Sequence, residues 1–114
     1  MPLYLSQLAY TADAWATLVA HPADRTEVVQ SLIEQIGGWL VSLYYCFGTY
    51  DAVVLAEAPD KEAISAALLA ALAPGHVKSI SSMALFTPES MVQVLRRAGE
   101  LHVCSPAPSQ TTGR

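Results

Sequence analysis

The sequence predicts an α+β domain with the element order β-α-β-β-α-β and one further helix at its C-terminal end. Its 114 residues suit one domain with a single core. The stretch Trp39–Glu57 has the pattern of a β-hairpin, because two apolar, aromatic-rich runs flank the break at Gly48–Asp51. Apolar residues at helical spacing precede and follow this hairpin, which places helices between the strands.

The N-terminal half begins with a strand over Leu3–Tyr10, after which Thr11 is a good N-cap for a helix that contains Trp15. Pro22 interrupts this helix and fits the first turn of a second helical segment. Gly37-Gly38 then ends the second segment, with one glycine expected in the left-handed conformation. The apolar stripe of that segment consists of Val28, Val29, Leu32, Ile33 and Ile36.

The C-terminal half begins with a helix that Asp60 caps and that Pro74-Gly75 ends. Its stripe is alanine-rich, so we expect it to lie close to the sheet. A fourth strand over His76–Phe86 follows, and Thr87 then caps a helix over 88–98 that Gly99 ends. We expect one domain over residues 1–99 and a flexible tail over 100–114, which lacks apolar periodicity. The stripe of the third helix consists of Ile64, Leu68, Ala71 and Leu72.

This order is the split-βαβ, ferredoxin-like arrangement, in which helices cover only one face of the sheet. The first run of the hairpin, however, is apolar on both faces. Charged residues make up 14% of the chain, against roughly 25% in an average soluble domain. We therefore expect two sheets to pack face to face in a homodimer or a larger homo-oligomer. Strict alternation places Trp39, Val41, Leu43, Tyr45 and Phe47 on one face and Leu40, Tyr44 and Cys46 on the other.

Composition and motifs argue against several classes of function. The net charge is −4 and the basic residues are scattered, which is unfavourable for nucleic-acid binding. The chain has no apolar run long enough to span a membrane and no signal-peptide pattern, so we expect a cytoplasmic protein. Cys46 and Cys104 should be reduced thiols. Neither a metal-binding spacing nor a nucleotide-binding motif occurs, and we expect no cofactor.

The sequence Phe47–Asp51 (FGTYD), preceded by Tyr44-Tyr45-Cys46 and followed by an apolar strand, resembles the signature of the GYD-domain family. The resemblance extends over roughly residues 3–99 and includes Tyr10-Thr11, Trp15, Pro22, Asp24-Arg25, Gly37-Gly38 and Gly75–Lys78. It implies a bacterial protein of the dimeric α+β barrel type, in a family without a characterised biochemical role. The glycine, tyrosine and aspartate of the family name would be Gly48, Tyr50 and Asp51.

The candidate ligand-binding residues define a hypothetical pocket between the helices and the sheet. Arg25 could grip a carboxylate with two hydrogen bonds, or could instead form a structural ion pair with Asp24, Glu27 or Asp51. The turn residues could orient a ligand at the rim of the pocket or could serve the turn alone. The aromatic residues could line the pocket or could pack in the core or at a dimer interface. The proposed binding set is Tyr10, Trp15, Arg25, Tyr45, Gly48, Tyr50, Asp51 and Lys78.

Three hypotheses for function follow from these residues. The first is a homo-oligomer that binds a small apolar or aromatic molecule carrying an acidic group. The second is a cofactor-independent enzyme, an isomerase or an oxygenase-like protein, with His76 or Asp51 as the acid/base group. His76 and Lys78 should share a face at the start of the fourth strand, although a solvated histidine is the simpler interpretation. The third is a structural protein whose surfaces only pack against each other.

Overall fold

The computed structural model describes residues 1–103 and shows four strands and four helices. The strand β1 matches the predicted range, and the helix between β1 and the hairpin is divided in two. The elements are β1 (Leu3–Tyr10), α1 (Ala12–Ala20), α2 (Thr26–Gln35), β2 (Trp39–Tyr45), β3 (Ala52–Glu57), α3 (Lys61–Leu72), β4 (Val77–Leu85) and α4 (Pro88–Glu100).

The four strands form one antiparallel sheet in the order β2-β3-β1-β4. The central strand β1 pairs with β3 on one side and with β4 on the other, and β2 and β4 are the edge strands. This arrangement confirms the predicted ferredoxin-like topology.

The core lies between one face of the sheet, which we call the covered face, and the helices α2 and α3. Tyr4 and Leu8 of β1 alternate with partly exposed residues, so this face is buried at every second position. Ile33 of α2 and Ile64 of α3 reach the sheet from above. The other buried residues of the core are Leu40, Ala52, Val54, Ala56, Ala58, Ala67 and Val77.

The side-chain alternation predicted for β2 is wrong because the strand contains a bulge. Leu40 pairs with Ala56, but the next paired residue, Ser42, lies opposite Leu55, so Val41 has no partner in β3. The extra residue reverses the alternation. Leu40 therefore lies on the covered face together with Leu43 and Tyr45. Phe47 lies beyond the end of β2.

Most of the predicted helix ends are confirmed by hydrogen bonds. The side chains of Thr11, Asp60 and Thr87 accept bonds from the backbone N–H groups of Ala14, Ala63 and Ser90. The predicted start of the second helix near Pro22 is wrong, because α2 begins at Thr26. The N-cap residue Arg25 makes no capping hydrogen bond with its side chain. The side chain of Asp24, one residue earlier, accepts the backbone N–H of Thr26 at 2.9 Å instead.

The predicted end of the last helix at Gly99 is also wrong, because α4 continues to Glu100. A glycine inside a helix costs about 1 kcal/mol relative to alanine, which α4 tolerates. Most of the predicted flexible tail, including Cys104, lies outside the described residues.

No helix within residues 1–103 lies on the second face of the sheet, and we call it the open face. Trp39 and Tyr44 of β2 and Met83 of β4 expose 53%, 66% and 44% of their surface there. Leu5 lies at its centre, opposite Leu55 on one side and Met83 on the other. The apolar open face is thus what the two-sided pattern of the hairpin predicted.

Candidate functional site

A cavity of about 660 Å³ lies between α2, α3 and the covered face of the sheet. Its walls are mainly aliphatic, because the apolar stripes of both helices face it. The residues of α3 that line it include Ala67, Ala70 and Ala71, whose short side chains leave the space open. The other apolar lining residues are Leu8, Val28, Val29, Leu32, Ile33, Leu43, Val54, Ile64, Leu68, Pro74 and Val77.

Three polar side chains, Tyr10, Arg25 and His76, line both this cavity and a smaller one of about 130 Å³ beside α1. We call this group the polar mouth. Tyr10 ends β1, Arg25 is the N-cap residue of α2, and His76 immediately precedes β4. The backbone N–H of Thr11 donates to the carbonyl oxygen of His76 at 3.0 Å, which fixes the ends of these two strands side by side.

The Tyr10 hydroxyl is held in its neutral form. Burial raises its pKa from 10.0 to about 12, and the nearby phenol of Tyr45 acts in the same direction. The negative charge of Asp51 also raises this pKa, whereas the positive charge of Arg25 lowers it. At neutral pH the polar mouth therefore combines a guanidinium ion with a phenol that can donate a hydrogen bond.

Asp51 connects the hairpin to β1 and α1. One of its carboxylate oxygens accepts the backbone N–H of Tyr10 at 2.9 Å and the indole N–H of Trp15 at 3.4 Å. The Trp15 ring packs edge-on against Tyr10 and is stacked near Phe47, with centroid distances of 5.4 and 6.4 Å. Through these bonds Asp51 holds the end of β1 and the side chain of Trp15 in place at the end of the sheet.

The structure does not bring all the sequence-predicted site residues together. Tyr10, Arg25 and His76 line the cavity. The predicted binding residues Trp15, Gly48, Tyr50, Asp51 and Lys78 line neither cavity. Tyr45 lies on the covered face and is 48% exposed, and it acts on the site through its effect on Tyr10.

The loop between β2 and β3 contains the glycine of the family signature. Gly48 has a positive φ of 158°, which is nearly extended and places little strain on a side chain. The thiol of Cys46 donates to the carbonyl oxygen of Tyr50 at 3.2 Å. Lys78 is exposed in a second irregularity, where the register of β1 and β4 shifts between Ala9 and Tyr10.

Sequence reasoning missed Ser6, Ser31 and Gln35 among the polar residues of the cavity, and it named Glu27 only as an ion-pair partner of Arg25. Ser6 lines the cavity, exposes only 1% of its surface, and its hydroxyl lies 3.0 Å from that of Ser82. The signal for Ser6 was its position between the large residues Tyr4 and Leu8 on the same face of β1, because a small polar residue there leaves space and a hydroxyl inside the core. The alanine-rich stripe of α3 was a second signal, because short side chains on a helix that faces the sheet leave room for a cavity.

Among residues 1–103 no group of three or more metal-binding side chains lies close enough to hold an ion. Within the same residues, no helix has the length and hydropathy needed to cross a membrane.

The fold and the site define an α+β domain of ferredoxin-like topology with an aliphatic cavity and a polar mouth. The GYD-domain model matches residues 4–95, and the chain therefore belongs to the GYD-domain family. This match confirms the resemblance seen in the sequence.

One relative from Thermus thermophilus is named glutamine synthetase and cystathionine beta-lyase binding protein. It is 33% identical over 85 residues, which are 75% of this chain and 90% of the relative. The crystal structure of MtbAldR superimposes with a TM-score of 0.53 at 15% identity, over 94% of this chain and 57% of that one. The crystal structure of TTHA0845 from Thermus thermophilus gives a TM-score of 0.49 at 15% identity. The superposition covers 76% of this chain and 95% of TTHA0845. This chain therefore shares its fold with MtbAldR.

Proposed function

We propose that this protein is a cytoplasmic homo-oligomer that binds a small apolar or aromatic molecule carrying an acidic group. The observation that carries the proposal is the arrangement of the cavity, whose walls are aliphatic and whose mouth holds Arg25, Tyr10 and His76. An apolar body would replace water inside the cavity, and an acidic group would remain at the polar mouth.

The size and chemistry of the cavity support this class of ligand. Its volume of about 660 Å³ lies within the usual range of roughly 300–1,000 Å³ for small-molecule sites. Arg25 can bind a carboxylate through two parallel hydrogen bonds, and the neutral Tyr10 can donate a third. Ser6 adds a buried hydroxyl to the mainly aliphatic wall, where a polar atom of the ligand could bind, and Glu27, Ser31 and Gln35 of α2 also line the cavity.

The homo-oligomeric part of the proposal rests on the open face. Leu5, Leu55 and Met83 form an apolar row across three neighbouring strands, and no helix of the described chain covers them. A second copy that packs its own open face against this row would remove both surfaces from water. The pair would then have the dimeric α+β barrel arrangement.

Two other functions have some support. An enzyme would use His76 rather than Asp51 as its acid/base group, because His76 lines the cavity whereas Asp51 bonds to Tyr10 and Trp15. The name of the Thermus relative, a binding protein for glutamine synthetase and cystathionine beta-lyase, favours a protein partner as a second candidate function.

The binding proposal can be tested by calorimetric titration with 4-phenylbutyrate and with the neutral 4-phenylbutanol. We expect the carboxylate to bind at least about tenfold more tightly, because a charge-assisted pair with Arg25 contributes about 1.5–3 kcal/mol. Arg25→Ala should remove this preference, while Lys61→Ala, at an exposed cation on α3, should not. Ala71→Phe should block the cavity for both probes, and Ala66→Phe, on the same helix outside the lining, serves as its control.

Equal binding of the acid and the alcohol would contradict the role of Arg25. Equal binding by the Ala71→Phe and Ala66→Phe variants would show that the probes bind elsewhere. Native mass spectrometry of the freshly purified protein would show in addition whether a bound molecule accompanies it.

A further inference from the structure

The helix α4 is amphipathic, but its apolar side contacts no other part of the described chain closely enough to be buried. None of its residues is buried, and Val92, Val94 and Leu95 expose 43%, 44% and 61% of their surface. Helices of 13 residues are marginal in water unless an apolar face packs against something. A stable α4 therefore needs another surface against which its apolar side can pack.

The position of α4 relative to the sheet indicates which surface this is. Leu85 ends β4, and α4 begins three residues later at Pro88. The register places one residue from each strand in a single row across this end of the open face, in the order Trp39, Glu57, Leu3, Leu85. α4 thus leaves the sheet at the end of this row, beside the β4 edge.

We infer that α4 of each copy packs against the β2 edge of a second copy, beside Trp39 and Glu57. A two-fold axis parallel to the strands reverses the strand order, so it places β4 of one copy over β2 of the other. The same axis keeps equivalent ends of the strands together, which brings α4 to the row that begins at Trp39. This inference rests on the proposed pairing of the open faces and adds a second contact to it.

Charge complementarity supports this placement. Glu57 is the only carboxylate in the four strands, and it is partly buried on the open face between Leu3 and Trp39. Arg96 and Arg97 lie near the C-terminal end of α4, about 12–14 Å along the helix from Pro88. In the inferred pair, each Glu57 gains a cation from the other copy.

The area needed for a stable dimer also supports the packing of α4 on the second copy. Strand spacing and rise give the open face on the order of 400 Å², whereas a standard interface buries about 800 Å² on each partner. α4 is about 20 Å long, so one side of it adds on the order of 200 Å². Each copy contributes its own α4 and receives the other, so the helices supply most of the missing area.

The test is a charge exchange measured by sedimentation equilibrium. Two variants are each tested alone: Glu57→Arg and the double variant Arg96→Glu/Arg97→Glu. Each places like charges at both of the symmetry-related contacts between residue 57 and α4 in the dimer. We expect each to raise the dimer dissociation constant about tenfold, since each dimer loses two opposite-charge contacts. A one-to-one mixture restores both opposite-charge contacts and should return the constant to its wild-type value. Lys61→Glu is the control for net charge.

A second variant tests the apolar side of α4. Leu95→Glu should raise the dissociation constant at least about a hundredfold, because each dimer loses two buried leucines, and Gln93→Glu should leave it unchanged. Circular dichroism would verify that each variant is folded. Dimers of unchanged strength in the Leu95→Glu variant, or a mixture that dissociates like its components, would overturn the inference about α4 and leave the open-face pairing intact. A wild-type protein that is monomeric would overturn both.

Discussion

Tyr10 is the residue at which the ends of the sheet, the hairpin and the polar mouth meet. Its backbone N–H donates to Asp51, its ring packs on Trp15, and its hydroxyl lies in the field of Arg25 and Tyr45. One residue thus links the aspartate of the family signature to the cavity. In the proposed binding function, Asp51 would act on the cavity through Tyr10 without touching the ligand.

The raised pKa of Tyr10 predicts a loss of stability in alkaline solution. The unfolded phenol ionises near pH 10, whereas the folded one keeps its proton until about pH 12. The stabilisation is fully present below pH 10 and is lost as the pH rises through 12, so the free energy of unfolding should fall across this window. Urea denaturation at several pH values should show a shallower fall for Tyr10→Phe, which keeps the ring.

The matched control for this variant is Tyr50→Phe, which changes a phenol in the loop between β2 and β3, away from both cavities and from the open face. Its stability should fall with pH as steeply as that of the wild type. A Tyr10→Phe protein that follows the same curve as the wild type would show that burial of this hydroxyl does not affect stability.

At the level of the elements, the connection from α2 to β2 depends on two adjacent glycines for different reasons. Gly37 has a φ of 79°, the left-handed value expected at a helix end. Gly38 has an ordinary φ, but a Cβ atom there would overlap the carbonyl oxygen of Glu57 and press on Ile33 and Ile36. The close approach of backbone to backbone leaves no room for relaxation.

Gly38→Ala should therefore destabilise the domain by about 1–3 kcal/mol, through overpacking against β3. For a domain of this size the melting temperature should fall by roughly 4–8 °C for each kcal/mol. Gly99→Ala is the control, because no atom lies within 4 Å of its added methyl group and alanine favours the helix. Differential scanning calorimetry that found equal melting temperatures for Gly38→Ala and the wild type would contradict the close approach.

The sequence was sufficient for features that depend on neighbouring residues along the chain. The range of β1, the capping residues Thr11, Asp60 and Thr87 and the glycine end of α2 follow from local rules. The bulge at Val41 could not be predicted, because it depends on how β2 pairs with β3. The start of α2 was missed because Asp24 caps it from outside the helix.

The same limit applies to the candidate site. Tyr10, Arg25 and His76 come from three distant parts of the chain, and only the packing of α2 and the pairing of β1 with β4 bring them to one mouth. Residue type alone identified Tyr10 and Arg25 as candidates. It could not separate them from Trp15 and Asp51, whose polar groups bond to each other beside the site.

At the scale of the whole molecule, the domain has one buried core and one apolar sheet face that no described helix covers. Burying that face in a second copy would contribute to the stability of each chain, because about 25 cal/mol is gained for each Å² of apolar surface removed from water. Folding and association would then be linked, and the melting temperature should rise with protein concentration.

The variant Leu55→Glu tests this link at the centre of the open face, where Leu55 lies opposite Leu5. A charge there would be buried without a partner in the dimer but would remain in water in the monomer, so the dimer should dissociate. We expect the melting temperature of the wild type to rise by a few degrees for each tenfold increase in concentration, and that of Leu55→Glu to be independent of it. Ser65→Glu, at an exposed position of α3 away from the open face, is the control. A wild-type melting temperature that does not change with concentration would mean that the open face is stable in water, and the apolar pattern of the hairpin would then need an explanation other than self-association.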